Sequence, residues 1–418
     1  MIGAGLESLS KRRRSEDRFL FSFHPEMRTS PTSSLFWMLC STLVCAQVSF
    51  DKPADSRLVE EIKSAPYKGH INISAFAYRD INRNGVYDLG DRPYAGLKVA
   101  MRHPEKEEPV EVTSNIGGFA NFEMSLNNPE HHIDVPGTYR VSAAPGNTCE
   151  ITSGNSEQSL KVRTLIGSPG GMFVEETLTP IGVAPKLTIS GQLFELPPET
   201  VLLAVHEQEK ERRVDIQKTG HFSFPAQKGN WTLEVKFPDA RVLTRKLRID
   251  NYPVYLSRWT PGAQHAEREA DQGRVIHFDD LTRSDTLHEI PNQYGDLKWT
   301  NWIATHQKLY GGVGYINNTT SGEYLAYNSS GHPATIHSDT PFQFIGGYFG
   351  VAWPQAESGD VFVAAWRGEE LLYEDQFRCS TERPVYFSAN YKDVTKIEFS
   401  TDRYWQFTMD DVAVRTGD

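Results

Sequence analysis

Cysteine is scarce in this chain, with 4 in 418 residues, which excludes a disulfide-dense scaffold and a cysteine-based zinc site. Long apolar runs are also lacking. The only strongly apolar stretch, residues 35–46, is shorter than the ~20 residues a membrane-spanning helix needs. Basic charge is in deficit: 43 Lys and Arg against 54 Asp and Glu give a formal charge of −11. That is the wrong sign for a nucleic-acid binder, which must neutralise phosphates. No P-loop, dinucleotide fingerprint, H-E-x-x-H or G-x-S-x-G occurs. Glycine (32) and proline (24) stay far below collagen-like or low-complexity levels. Aromatic residues, by contrast, are plentiful at 8 Trp, 17 Tyr and 22 Phe. They suffice for packed cores, and at ~150 residues per domain the length argues for two or three of them.

Leu35 to Ala46 suits the apolar centre of a secretory signal. Val44 and Ala46 supply the tolerated and small residues of a cleavage site, so residues 1–46 are expected to be removed. The basic lead containing Lys11-Arg12-Arg13-Arg14 is unusually long, and Met27-Arg28 would begin a conventional signal. Leu39 and Val44 precede Cys40 and Cys45, which excludes a lipobox. The expected product is an acidic protein, secreted or held at the cell surface, with no transmembrane segment. It keeps Cys149 and Cys379, which either pair in an oxidising compartment or stand as isolated thiols.

Short runs rich in β-branched and aromatic residues dominate, separated by Gly, Pro, Asn and Asp turns. That rhythm predicts an all-β protein. The one helical candidate is Ser56 to Ser64, where Leu58, Val59 and Ile62 share a face. After a lead-in over 47–67, a first β-sandwich is expected over 68–150 and a connecting segment over 151–185. A second sandwich is expected over 186–258, a linker over 259–274 and a larger sandwich over 275–418. Gly117-Gly-Phe-Ala-Asn-Phe122 and Gly137-Thr-Tyr-Arg-Val141 recur as Gly220-His-Phe-Ser-Phe224 and Gly229-Asn-Trp-Thr-Leu-Glu-Val235. The recurrence predicts that the first two sandwiches are related modules.

The sharpest motif is Asp80-Ile-Asn82-Arg-Asn84-Gly85-Val86-Tyr-Asp88-Leu-Gly-Asp91. It matches the D-x-[DN]-x-[DN]-G-x₅-E calcium loop, with Asp in place of the final Glu. Calcium is a hard cation that takes six to eight oxygens at ~2.3–2.6 Å. Asp80, Asn82 and Asn84 at alternate positions can wrap it, Gly85 permits the turn, and Val86 offers its carbonyl. Asp88 would bind directly or through water, and Asp91 would close the shell. The competing reading is a polar turn that binds nothing.

With the loop, the strand into Tyr78-Arg-Asp80, Ala95-Gly96-Leu97-Lys98-Val99 and the Gly117–Phe122 and Gly137–Val141 landmarks, residues 71–145 resemble the B-type domain of serine–aspartate repeat (SD-repeat) surface proteins. The resemblance implies an immunoglobulin- or prealbumin-like sandwich stiffened by calcium in an extracellular stalk or adhesin. The chain departs from that family in having no serine–aspartate tract and no wall-anchoring signal, and in an apparent insertion over 128–135.

The last unit runs from Ile276-His-Phe-Asp279-Asp280 to Phe407-Thr-Met-Asp410-Asp411. It resembles the jelly-roll sandwiches of secreted proteins, carbohydrate-binding ones included, whose first and last strands are neighbours. That arrangement would bring Asp279 or Asp280 near Asp410 or Asp411, where a second calcium ion could bind; the alternative is solvated turn acids. Trp299, Trp302, Tyr315, Tyr324, Tyr327, Trp353 and Trp366 are candidates for a sugar-stacking platform, although most must fill the core. Glycosylation sequons begin at Asn72, Asn230, Asn317, Asn318 and Asn328.

No catalytic residue is assigned. His131-His132, His332 with His337, and the acid pairs Glu369-Glu370 and Asp410-Asp411 are the nearest to catalytic groupings. The expected function is an exported, calcium-stabilised adhesion or matrix-type protein whose C-terminal module binds an extracellular glycan or surface protein. The runner-up is a polysaccharide hydrolase with its site in that module, and a purely structural matrix protein is the third reading.

Overall fold

Strict alternation of buried and exposed side chains builds this protein, as in Gly137–Ala144, where Tyr139, Val141 and Ala143 point inward between exposed neighbours. The computed structural model describes residues 71–123, 133–167, 171–259, 273–353 and 358–417. All of them belong to the unit Pro66–Asp418. The export signal, the helix expected over 56–64, His131-His132 and nearly all of the 259–274 linker lie outside the described residues. The described chain is an all-β protein of stacked sheets.

The first sandwich contains β1 (Ile73–Arg79), β2 (Arg92–Pro93), β3 (Lys98–Arg102), β4 (Val110–Thr113), β5 (Phe119–Phe122), β6 (Gly137–Ala144), β7 (Cys149–Ile151), β8 (Glu157–Thr164), β9 (Met172–Val174) and β10 (Ile181–Pro185). One sheet is ordered β2-β1-β10-β7 with β5 also on β1, and the other is β4-β3-β6-β8-β9. Ala75, Phe122, Ile181 and Val183 of one meet Val99, Tyr139, Val141 and Leu160 of the other in a shared core. Each large apolar side chain so buried contributes about 1.5–3 kcal/mol. Residues 151–185, expected to be a connection, instead supply β8, β9 and β10. Only Leu160 and Val162 of β8 face inward, so its polar composition hides a true sandwich strand.

The second sandwich contains β11 (Thr188–Leu193), β12 (Val201–His206), β13 (Arg212–Val214), β14 (His221–Pro225), β15 (Gly229–Lys236), β16 (Val242–Ile249) and β17 (Val254–Trp259). Its first strand lies antiparallel to β14 and parallel to β17, as β1 lies antiparallel to β5 and parallel to β10. The opposing sheet β13-β12-β15-β16 repeats β4-β3-β6-β8. The recurring glycine–aromatic landmarks therefore occupy equivalent strands.

The third unit contains β18 (Arg274–Ile276), β19 (His288–Glu289), β20 (Lys298–Thr300), β21 (Trp302–His306), β22 (Tyr324–Asn328), β23 (Ala334–Val351), β24 (Ser358–Arg367), β25 (Glu370–Ser380), β26 (Val385–Thr401) and β27 (Phe407–Thr416). A short α-helix, α1 (Val313–Asn318), and a 3-10 turn at Ser329–Gly331 interrupt them. β18 pairs with β27, the neighbouring first and last strands expected of a jelly-roll-like sandwich. Register shifts break the pairing of β23 with both β26 and β27, and local irregularities of this kind let long strands bend around one core. The second and third units are continuous, because β17 pairs in parallel with β26.

Buried polar anchors reinforce that junction. The Arg245 guanidinium donates to the Ser257 and Ser388 carbonyls at 3.2 and 2.7 Å. Asp375 accepts the Arg258 amide at 2.6 Å and the Tyr391 hydroxyl. Burial pushes Asp375 up to about 6, against the downward pull of those hydrogen bonds. Its folded value thus lies above the unfolded one of ~3.9. The native state then holds this proton more tightly, so the contribution is full below pH ~4 and is lost as pH rises through about 6. Asp375→Asn is expected to gain on wild type by up to about 3 kcal/mol between pH ~4 and ~8, at 1.36 kcal/mol per pK unit. Denaturant melts across that range check it, and a pH-independent difference would contradict the assignment.

Candidate functional site

The Asp80–Asp91 segment follows β1 directly and closes on itself through its own polar groups. Asp80 is buried, and its carboxylate accepts the Asn84 and Gly85 amides at 3.1 and 2.8 Å and the Thr152 hydroxyl at 2.5 Å. Asp88 accepts the Asn82 side-chain amide at 3.1 Å and that of Asn84 at 2.7 Å. Asp91 accepts the Ile81 and Asp88 backbone amides at 3.0 and 3.1 Å. Gly85 has φ +76°, and a Cβ there would meet the Thr152 carbonyl at 2.9 Å, so glycine is required twice over. Val86 and Leu89 point into solvent.

These residues offer the hard-oxygen donors that suit calcium: three carboxylates, two amides and backbone carbonyls. Their crowding also has an electrostatic signature. Burial raises Asp91, and Asp80 and Asp88 raise it further, against two backbone hydrogen bonds. The Tyr78 phenol is pushed up to about 12 by burial and then by Asp80, Asp91 and Asp88. Among the described residues, no group of three or more His, Cys, Asp or Glu side chains stands ready to hold a metal. Asn82 and Asn84 turn their amide nitrogens toward Asp88, so an ion requires those two amides to present oxygen instead. The donor chemistry fits calcium once the amides rotate.

The loop is rooted in a three-way junction. Arg79, buried at the end of β1, donates to the Asn317 and Thr319 carbonyls of the third unit at 3.1 and 2.7 Å. Burial lowers its guanidinium to about 10, with Arg92 adding to the fall and Tyr252 and Asp410 opposing it. Asn317 in turn exchanges two hydrogen bonds with the backbone of Ala95, at 3.1 Å and 2.8 Å. Tyr252 of the second unit lines the same crevice as Arg79, Asp80 and Asn317.

The acids suggested for a second ion brace one loop from its two ends. Asp410 is buried and accepts the Thr320 and Ser321 amides at 2.7 and 3.2 Å. Asp279 accepts the Glu323 and Tyr324 amides at 2.6 and 3.2 Å. Asp411 accepts the Thr320 and Ser321 hydroxyls, and Asp280 accepts the Tyr294 hydroxyl. Each of the four acids thus has hydrogen-bond donors within the protein. Glu369 and Glu370 are exposed at a hairpin tip between β24 and β25. His332 is exposed against Tyr404, and His337 pairs with Lys298 along β23.

The aromatic platform is largely core. Trp299, Trp302, Tyr315, Tyr324 and Tyr327 are buried, and only Trp353 and Trp366 keep partial exposure. Asn317, Asn318 and Asn328 are buried as well, leaving Asn72 and Asn230 as the exposed sequons. Cys149 and Cys379 are free thiols buried in different sandwiches. Burial pushes Cys149 up to about 11 and Cys379 higher still, which makes both poor nucleophiles.

A groove of about 720 Å³ lies between the second and third units, and the sequence pattern did not single out the tyrosines that line it. Tyr252, Tyr348 and Tyr386 form its aromatic wall. Tyr348 stands between the other two, with ring centroids 5.3 and 5.0 Å apart and planes inclined at 70° and 60°. Tyr348 and Tyr386 are direct cross-strand neighbours, which no local sequence signal reveals.

The chain matches no protein family and no curated protein. Among solved structures it is similar to the Bacillus anthracis TIE protein, at 12% identity and a TM-score of 0.20, covering 46% of this chain and 33% of that one. It is similar to the CBM51-2 and INT domains of Clostridium perfringens ZmpB in complex with GlcNAc, at 11% identity and a TM-score of 0.22, covering 55% and 48%. It is also similar to TmCBM61 in complex with β-1,4-galactotriose, at 9% identity and a TM-score of 0.18, covering 32% and 88%. The chain thus spans less than half the length of the first two.

Proposed function

We propose that the chain is an exported, calcium-stabilised binding protein of the cell surface or extracellular matrix. Its C-terminal sandwich presents a face to a glycan or a surface protein. The observation that carries this reading is the Asp80–Asp91 loop, whose donors gather in one turn next to the junction of all three units. The likeness of residues 71–145 to the SD-repeat B-type domain supports the same ion. The secretory signal over 1–46 supports the location.

Bound calcium would supply positive charge to carboxylates that otherwise repel one another. Asp80, Asn82, Asn84, the Val86 carbonyl, Asp88 and Asp91 are the residues that would hold it. Asp80 already ties the loop to Thr152 of the opposite turn, and the neighbouring Arg79 ties β1 to the third unit. Order in the loop therefore bears on how the binding face is held. Calcium titration calorimetry on the chain is expected to show one site, lost in Asp88→Ala. Absence of bound calcium in wild type by calorimetry and equilibrium dialysis would overturn the reading.

A further inference from the structure

We propose that the groove between the second and third units binds a neutral, hydroxyl-rich oligosaccharide. The inference rests on the binding-protein reading above and assigns its glycan to a place on the chain. At about 720 Å³ the groove falls within the ~300–1,000 Å³ of ordinary ligand pockets. Its wall combines contiguous half-buried tyrosines with charged and amide side chains, as a ring with apolar faces and hydroxyl edges requires.

Charge selects among ligands. Lys246 and Arg248 are matched by Asp250 and Asp411 along the lining. Arg248 and Asp250 engage each other at 2.9 Å, and Asp411 holds the Thr320 and Ser321 hydroxyls. Among the described residues of the lining, two cations face two carboxylates, a balance that favours neither a phosphate or uronic acid nor a polyamine. Such paired donors and acceptors suit hydroxyl groups, which both give and receive hydrogen bonds. The tyrosine hydroxyls are donors at neutral pH like any phenol, and burial raises Tyr348 and Tyr252 further. Among the described residues of the lining, Val275 is the one exposed large aliphatic side chain.

The test uses the full chain and soluble cello-, xylo-, manno- and galacto-oligosaccharides, with heparin as the anionic comparison, all by titration calorimetry. At least one neutral oligosaccharide is expected to bind. Val275→Trp, which projects an indole into the groove from an exposed position, is expected to weaken it at least about tenfold, or 1.4 kcal/mol. Leu371→Trp, exposed on β25 away from the lining, is expected to bind as wild type does, and melting curves establish that both variants fold. Tyr348→Phe, which keeps the ring and removes the hydroxyl, should weaken binding by a smaller factor. Equal affinity in wild type and Val275→Trp would overturn the groove while leaving glycan binding elsewhere intact. Binding of heparin alone, or of no probe, would overturn the neutral-saccharide assignment, whereas calcium titration tests the underlying reading independently.

Discussion

Asn317→Ala is expected to lower folding stability by about 3–4 kcal/mol, although the residue lies on the surface of neither flanking sheet. Its side chain bonds the backbone amide and carbonyl of Ala95 and reaches the Thr381 carbonyl at 3.3 Å. Ala95 is fully buried, so truncation strands both of its backbone groups away from water. Each orphaned group costs about 1–3 kcal/mol, far more than the net worth of an average hydrogen bond. The helix that carries Asn317 cannot compensate. It is six residues long, has no side-chain cap at its N-terminus, and is held by burial rather than by propensity. Denaturant unfolding should show a lower midpoint, and Asn317→Asp, which lacks the amide donor, should recover little. A loss under about 1 kcal/mol would mean that the first and third units are held together elsewhere.

The double variant Asp80→Ala with Asp88→Ala is expected to remove all calcium-dependent stabilisation. For a ligand that binds only the native state, a hundredfold excess over its dissociation constant stabilises by about 2.7 kcal/mol. Two different effects are combined in this variant, and single substitutions separate them. Asp80 is buried and caps the Asn84 and Gly85 amides, so Asp80→Ala also costs stability in chelator. Asp88 is exposed and, among the described residues, its carboxylate accepts the Asn82 and Asn84 side chains, so Asp88→Ala should leave the chelator-treated protein nearly unchanged. Equal calcium responses in wild type and the double variant would show that the ion, if bound, sits elsewhere.

What the sequence reveals here depends on whether the chemistry is local. The loop donors lie within twelve consecutive positions, and their alternate spacing already implies one turn, which the hydrogen bonds to Asp80 and Asp88 display. The relation of the first two sandwiches was also legible, since glycine–aromatic landmarks mark equivalent strands in each. Long-range features were not. Tyr252, Tyr348 and Tyr386 meet because β17 pairs with β26 and β26 with β23. Trp299 and Trp302 looked like a platform because composition does not say which face of a strand is inward; both pack edge-to-face in the core. The polar strand β8 disguised the end of the first sandwich for the same reason. Asn317 read as a sequon, and only its burial shows it to be an anchor.

The most direct measurement is a pair of melting curves for residues 47–418, one with millimolar calcium and one with chelator. Calcium is expected to raise the midpoint by several degrees, in keeping with about 2.7 kcal/mol at a hundredfold excess over the dissociation constant. Superimposable curves would contradict the calcium-stabilised loop and leave Asp80 to Asp91 as a polar turn closed by its own asparagines.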